Sequence, residues 1–326
     1  MSSENLFKRR IIYSALFLFL LMAPPAAAAA TIRIERGDSL SSIASKLERA
    51  GLLKSPVLFK LYAWLSGTAH LLKPGAYELV PDLSLVRLVE ALAAGPPALT
   101  VVVREGVTVK DIDDELAKLK IIQPGELTGF DWQGLKKDFA FLDGSLTLEG
   151  YLFPDSYRFT SADEIEDIVR QMLLNFEAKA LPLVRGQRTE DGRRNLIVAS
   201  LIERESPFYE DQVLISGVIH KRLKIDMPLQ IDATVTYIKC AGRFFSCVKR
   251  ALARADYKIE SSFNTYLYKG LPPAPIASPG LGALKAALNP ARTGHLYYVS
   301  DPATRRTYFS KTLDEHNEKR YQILNL

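Results

Sequence analysis

The chain has 326 residues, a formal net charge of +5 at neutral pH and 48% apolar residues. That length admits two ordinary domains, and the apolar fraction supplies a large core. The mildly basic balance contains no dense Lys/Arg run, so nucleic acid is not an expected partner; two cysteines exclude a disulfide-built scaffold. No zinc spacing, phosphate loop or dinucleotide fingerprint is present, and no metal or cofactor is expected.

Lys8-Arg9-Arg10 precedes Ile11 to Ala30, a stretch without charge that is about long enough to span a bilayer. Residues 1–30 read as an uncleaved membrane anchor, single-pass, with the basic flank cytoplasmic and the rest of the chain outside. The small residues Ala26 to Ala30 also suit a signal-peptidase site, the other reading of this segment.

From Thr31 the pattern shortens. Thr31 to Ile34 alternates like a strand, and Ser39 or Asp38 caps a helical stripe of Leu40, Ile43, Ala44 and Leu47. A second helix is expected over Pro56 to Leu65, a strand over Ala76 to Val80, and a third helix through Leu85, Leu88, Val89 and Leu92. Strand, polar turn and capped helix recur at Ile32–Leu47, Tyr77–Leu92 and Val101–Leu119. Ile34 to Leu47 resembles a LysM module, a fold that binds N-acetylglucosamine-containing glycans. Gly95-Pro96-Pro97 marks a boundary, which gives domains 31–97 and 98–326.

In the second domain, Leu99 to Val103 is a β-branched strand and Val109 to Leu119 an amphipathic helix. Glu149 to Tyr157 is dense in aromatics, which suits either a core-edge turn or a cleft wall that stacks on sugar rings. Ala162 to Ala180 is a helix with Ile165, Ile168, Val169, Met172 and Phe176 on one side. Leu196 to Ser206 is almost wholly apolar and then carries two carboxylates, a pattern that fits a buried helix. Glu205 follows Leu201 and Ile202 by one turn and shares their inward face, whereas Glu203 leaves the helix on another side with more polar surroundings expected. A carboxyl against apolar walls has a raised pKa and can serve as a general acid.

Asp211 is expected to cap the following helix. In an extended segment Gln230, Asp232 and Thr234 would point to one side, where they could bind a glycan's hydroxyls; alternatively Asp232 caps a helix through Tyr237. Cys240 and Cys247 bracket a short loop and form either a disulfide or two buried thiols. Asn264 precedes a proline-rich loop that would fix it at a cleft rim. Ser278-Pro279 reads as the cap and first residue of a helix through Leu288. A closing hairpin is expected over Leu296–Val299 and Arg306–Phe309, with His316 on the surface of a terminal helix.

Ala199-Ser200-Leu201-Ile202-Glu203-Arg204-Glu205, Arg222-Leu223 with Met227 to Asp232, Asn264-Thr265-Tyr266 with Gly270 to Pro273, and Ile276 to Gly280 together resemble the YceG-like family of endolytic murein transglycosylases. The resemblance implies cleavage of nascent peptidoglycan between N-acetylmuramic acid and N-acetylglucosamine, leaving a 1,6-anhydro-muramyl end. It places the catalytic glutamate on Glu205 and implies glycan contacts from Gln230, Asp232, Thr234, Asn264 and Tyr266. It also implies peptidoglycan synthases as partners at the membrane. The fold expected is α+β: a membrane anchor, a small LysM-like αβ module, and a mixed α/β catalytic domain whose buried helix carries the acid. The rival readings are a hydrolytic muramidase pairing Glu205 with Asp232 or Glu203, and a peptidoglycan-binding scaffold without catalysis.

Overall fold

The structure, a computed structural model, describes residues 29–184, 189–248 and 251–324. All but the last two residues of the expected anchor lie outside the described residues. Among the described residues no helix is long and apolar enough to cross a membrane. The chain divides into two compact units at Pro97 and Ala98.

In the first unit, β1 (Ala30–Ile34) pairs antiparallel with β2 (Gly75–Leu79), Ile32 opposite Tyr77. The connection holds α1 (Leu40–Arg49) and α2 (Pro56–Leu65), and α3 (Leu85–Ala94) follows. Ser39, Ser55 and Ser84 each accept the backbone N–H of the third residue onward, which satisfies one orphan donor per helix start. Ile32, Ile34, Leu47, Phe59, Leu88 and Leu92 meet in one buried cluster.

In the second unit, β3 (Leu99–Val103) pairs antiparallel with β4 (Asp155–Phe159), Val101 opposite Tyr157. Helix α4 (Val109–Lys118) starts at a capping box between Thr108 and Asp111. The strand, turn and hydroxyl-capped helix thus recur at all three expected places. Helices α5 (Ile165–Lys179), α6 (Thr189–Glu205), α7 (Tyr209–Lys224), α8 (Asp232–Lys239) and α9 (Leu281–Leu288) build the body. Strands β5 (Tyr297–Ser300) and β6 (Thr307–Ser310) form the closing hairpin, followed by α10 (Leu313–Leu324). The sheets are small, so the class is mixed α+β.

Helix α6 is the core element. Leu196, Val198, Ala199, Leu201 and Ile202 are all buried, and α7 and α9 lie against it. The Ser200 hydroxyl donates to the Ile197 carbonyl (2.7 Å) and accepts the Ile276 N–H (3.1 Å), so even the polar residue of this run is satisfied internally.

Two local expectations change, and one that was open between two readings is decided. The N-cap of α7 is Phe208; Asp211 sits in the first turn, where its carboxylate accepts the Thr307 N–H (3.0 Å). The N-cap of α9 is Gly280, because Ser278 is already bonded through both backbone groups to the 106–107 loop. The aromatic run belongs to the core: Tyr151 packs against Phe141 and Phe176, and Tyr157 donates to the Phe153 carbonyl (2.6 Å).

Candidate active site

Helix α6 ends on Glu205, which lines an open cleft of about 640 Å³. Burial pushes its carboxyl up to about 7, and the neighbouring Asp232 charge adds to the rise. A hydrogen bond from the Tyr298 hydroxyl and the Arg204 charge act in the opposite direction. The negative end of the helix dipole also disfavours a carboxylate at this position. Tyr298 comes from β5, and burial and the Glu205 charge raise its own pKa well above the tyrosine range. A carboxyl so placed is able to give or take a proton near neutrality.

Asp232 lies in the first turn of α8, across the same cleft. The Tyr266 hydroxyl donates to its Oδ1 at 2.5 Å, and Tyr257 contacts it as well. The expected cap role does not hold, since Ile231 is the N-cap and no side chain caps the helix. Gln230 stands at the exposed rim with φ +51°, its N–H donating to the Thr265 carbonyl (3.0 Å). A left-handed conformation costs a non-glycine residue about 1–2 kcal/mol, which this tertiary hydrogen bond helps offset.

Glu205, Gln230, Asp232 and Tyr266 are thus brought together, and Thr234 and Asn264 are not. Thr234 is fully buried; its hydroxyl bonds the Ile231 carbonyl (2.7 Å) and the Thr265 hydroxyl (3.0 Å). Asn264 is also fully buried. Its Nδ2 donates to the carbonyls of Tyr257 (3.1 Å) and Ile259 (2.8 Å), and its Oδ1 accepts the Tyr266 N–H (3.0 Å). Both residues shape the loops that carry Tyr257 and Tyr266, and neither presents a free polar atom to the cleft.

Several cleft residues were missed by sequence reasoning. Tyr257, Tyr297, Tyr298, His316, Asn317 and Arg320 also line it. Arg222 ties its floor together: Nε donates to the Leu296 carbonyl (2.7 Å), and a second guanidinium nitrogen donates to Leu229 (2.7 Å) and Pro228 (3.1 Å). His316 faces the cleft and stacks on Tyr297, 5.4 Å between rings, so the surface position expected for it is corrected. The alternating Tyr297-Tyr298 pair was the available signal, but its partners are distant in sequence.

The expected contrast between the two acids of α6 is not found in their proton affinity. Burial also raises Glu203 to about 7. The two differ in where they point. Glu203 accepts the Gly280 N–H (3.0 Å) at the start of α9 and lies beside Glu105. In this arrangement the Glu105 carboxyl occupies the space that a Cβ on Gly280 would take. A third acid, Glu149, is 3% exposed and pushed by burial to about 8. It accepts the Val109 N–H (3.1 Å) and lines a separate hollow with Trp132 and Phe263.

Cys240 and Cys247 form a disulfide. The loop it closes docks on α4: Asp111 accepts the N–H groups of Phe244 and Phe245 (3.1 Å each), and Asp114 pairs with Arg243 (2.8 Å). Phe244 in turn carries the Arg204 guanidinium at 4.0 Å, directly beside the two acids of α6 in sequence.

A family model for the YceG-like family matches residues 32–322. The endolytic murein transglycosylase of Bacillus subtilis is 32% identical over 313 residues, covering 90% of this chain and 84% of that protein. The endolytic murein transglycosylase of Streptococcus pneumoniae strain D39 is 28% identical over 324 residues, covering 90% of this chain. The chain spans 58% of the length of that pneumococcal relative. The 2.6 Å crystal structure of a yceG-like protein from Listeria monocytogenes superposes with a TM-score of 0.56 at 29% identity, covering 89% of this chain and 98% of that one. Matched by the family model over nearly its whole length and by a relative at 32% identity, the chain belongs to the YceG-like family.

Proposed function

We propose that the chain is an endolytic lytic transglycosylase of peptidoglycan, the activity that its relatives' names carry. Glu205, protonated, donates to the oxygen of the β-1,4 bond between N-acetylmuramic acid and N-acetylglucosamine. As that bond breaks, C1 of the muramyl unit takes on oxocarbenium character. The Glu205 carboxylate then accepts the proton of the muramyl C6 hydroxyl as O6 bonds to C1, closing the 1,6-anhydro ring. The internal nucleophile removes the need for the second catalytic carboxylate of ordinary glycosidases. Gln230, Asp232 and Tyr266 orient the sugar and its acetamide. The observation that carries this reading is Glu205 itself, a carboxyl with a raised proton affinity on the wall of an open cleft.

Asp232 in the same cleft gives the hydrolytic reading its one support. Its engagement by tyrosine hydroxyls fits an orienting role better than that of a nucleophile or water-activating base. Mass spectrometry of products from uncrosslinked glycan separates the two. Anhydro-muramyl ends are expected; ends heavier by one water would establish a hydrolase. We further propose that residues 1–30 anchor the chain in the cell membrane with both units outside the cytoplasm, beside peptidoglycan synthases. The basic flank and uncharged stretch support this. Glycan binding by residues 31–97 is proposed on the LysM resemblance.

A further inference from the structure

Helix α2 has two apolar faces, and only one is used. Phe59 and Ala63 are fully buried in the first unit. Val57, Leu58, Leu61, Trp64 and Leu65 recur at helical spacing on the opposite side, and their exposure runs from 49% at Leu61 to 71% at Trp64. Leu71 just beyond the helix is equally bare. Scattered exposed leucines are ordinary, but five large apolar side chains on one short helix make a contiguous patch of the kind that marks an interaction surface.

Two further observations point to the occupant. No Asp or Glu occurs between Glu48 and Glu78, whereas Lys54, Lys60, His70 and Lys73 lie within that span. An apolar stripe carrying an exposed tryptophan, in an acid-free and lysine-bearing surround, matches an anionic bilayer surface. The uncharged Ile11–Ala30 stretch also ends at the first residue of β1. On the anchored reading above, on which this inference rests, the first unit emerges from the bilayer with almost no linker.

We propose that the outer face of α2 seats the first unit on the membrane surface, with Trp64 and its neighbouring leucines in the headgroup–acyl boundary and the lysines toward anionic lipid. The helix acts as an in-plane foot beside the spanning segment.

Trp64 is itself the reporter, because the chain has two tryptophans and Trp132→Phe leaves it alone. The full chain is reconstituted in phosphatidylethanolamine–phosphatidylglycerol vesicles, and flotation with the vesicles tests the anchor. Trp64 emission is then read with a lipid-borne quencher placed near the headgroups and with aqueous iodide. More than half the emission is expected to be lost to the lipid quencher, with strong protection from iodide. Leu61→Glu, an exposed position, is expected to reverse both while the variant still floats and its melting temperature is unchanged. A floating chain whose Trp64 is quenched freely by iodide and not by lipid overturns the inference and leaves the anchor standing. Protection from iodide without lipid quenching assigns the face to protein, a second copy or residues 1–28, and also overturns it. A chain that does not float removes anchor and foot together.

Discussion

At Glu205 burial and the Asp232 charge favour the protonated form, and the Tyr298 hydroxyl favours the carboxylate. Tyr298→Phe deletes that hydroxyl and keeps the ring. Loss of a donor to the charged form raises the acid's pKa, so the alkaline limb of the pH–rate profile should move up by about 0.5–1 pH unit. A drop in rate with no movement of the limb would assign Tyr298 to sugar contact instead. The helix that carries Glu205 was legible in the sequence, since six apolar residues and Ser200 precede the acids, but its spacing did not foretell that burial raises both acids alike. Thr234 and Asn264 were misread for a physical reason. An i, i+2 alternation holds only in extended chain, and here Gln230 turns left-handed before α8 begins at Asp232. Thr234 therefore rotates into the core, and the amide of Asn264 is spent on backbone carbonyls. Tyr298 and Arg222 depend on contacts such as Arg222 to the Leu296 carbonyl, some seventy residues on, which no local pattern encodes.

Among the elements, α6 and the disulfide loop act as a unit. The loop holds Phe244 under Arg204, and its backbone is pinned by Asp111 on α4. Replacing both cysteines by serine frees the loop in the unfolded chain. For a loop this short the cost is about 2–3 kcal/mol, read as a lower melting temperature without reductant. The double variant should also be insensitive to added reductant, whereas the parent should lose the same increment. Equal melting temperatures in the absence of reductant would mean that the bridge adds nothing beyond the Asp111 and Asp114 contacts. In the sequence α4 read only as an amphipathic helix, with no role for its acids. Their use is tertiary: besides Asp111, Asp113 accepts three backbone N–H groups from the 125–128 loop. The helices and strands themselves were largely legible from apolar periodicity and hydroxyl caps. Caps failed at Asp211, whose carboxylate accepts the distant Thr307 N–H, and at Ser278, whose backbone N–H and carbonyl are both bonded to the 106–107 loop so that the helix starts two residues later.

At the scale of the whole molecule, Glu149, Glu203 and Glu205 make stability fall toward alkaline pH. Glu149 stands at about 8, and Glu203 and Glu205 at about 7, all above the ordinary value of 4.5. A raised folded-state pKa means that the folded chain keeps protons which the unfolded chain releases. The stabilisation is full below about pH 4.5 and is lost as pH rises through 7–8. Glu149→Gln removes one of these losses while retaining an acceptor for the Val109 N–H. It should raise stability on the order of 1–3 kcal/mol at pH 9 and change it little at pH 4. A variant less stable than the parent at both pH values would show that the Glu149 contacts outweigh its desolvation. The two-unit division follows from Gly95-Pro96-Pro97, whereas the cleft could not be read from sequence because α6, α8 and the closing hairpin meet there only in the fold. The central claim is that Glu205 carries the proton in both directions, and turnover of uncrosslinked glycan by Glu205→Gln tests it most directly. General acid–base catalysis contributes about 10²–10⁴-fold. Turnover should fall by at least that order while glycan affinity and melting temperature are maintained, and Glu203→Gln should cost far less. Comparable turnover by Glu205→Gln and the parent, with matched melting temperatures, would contradict the account.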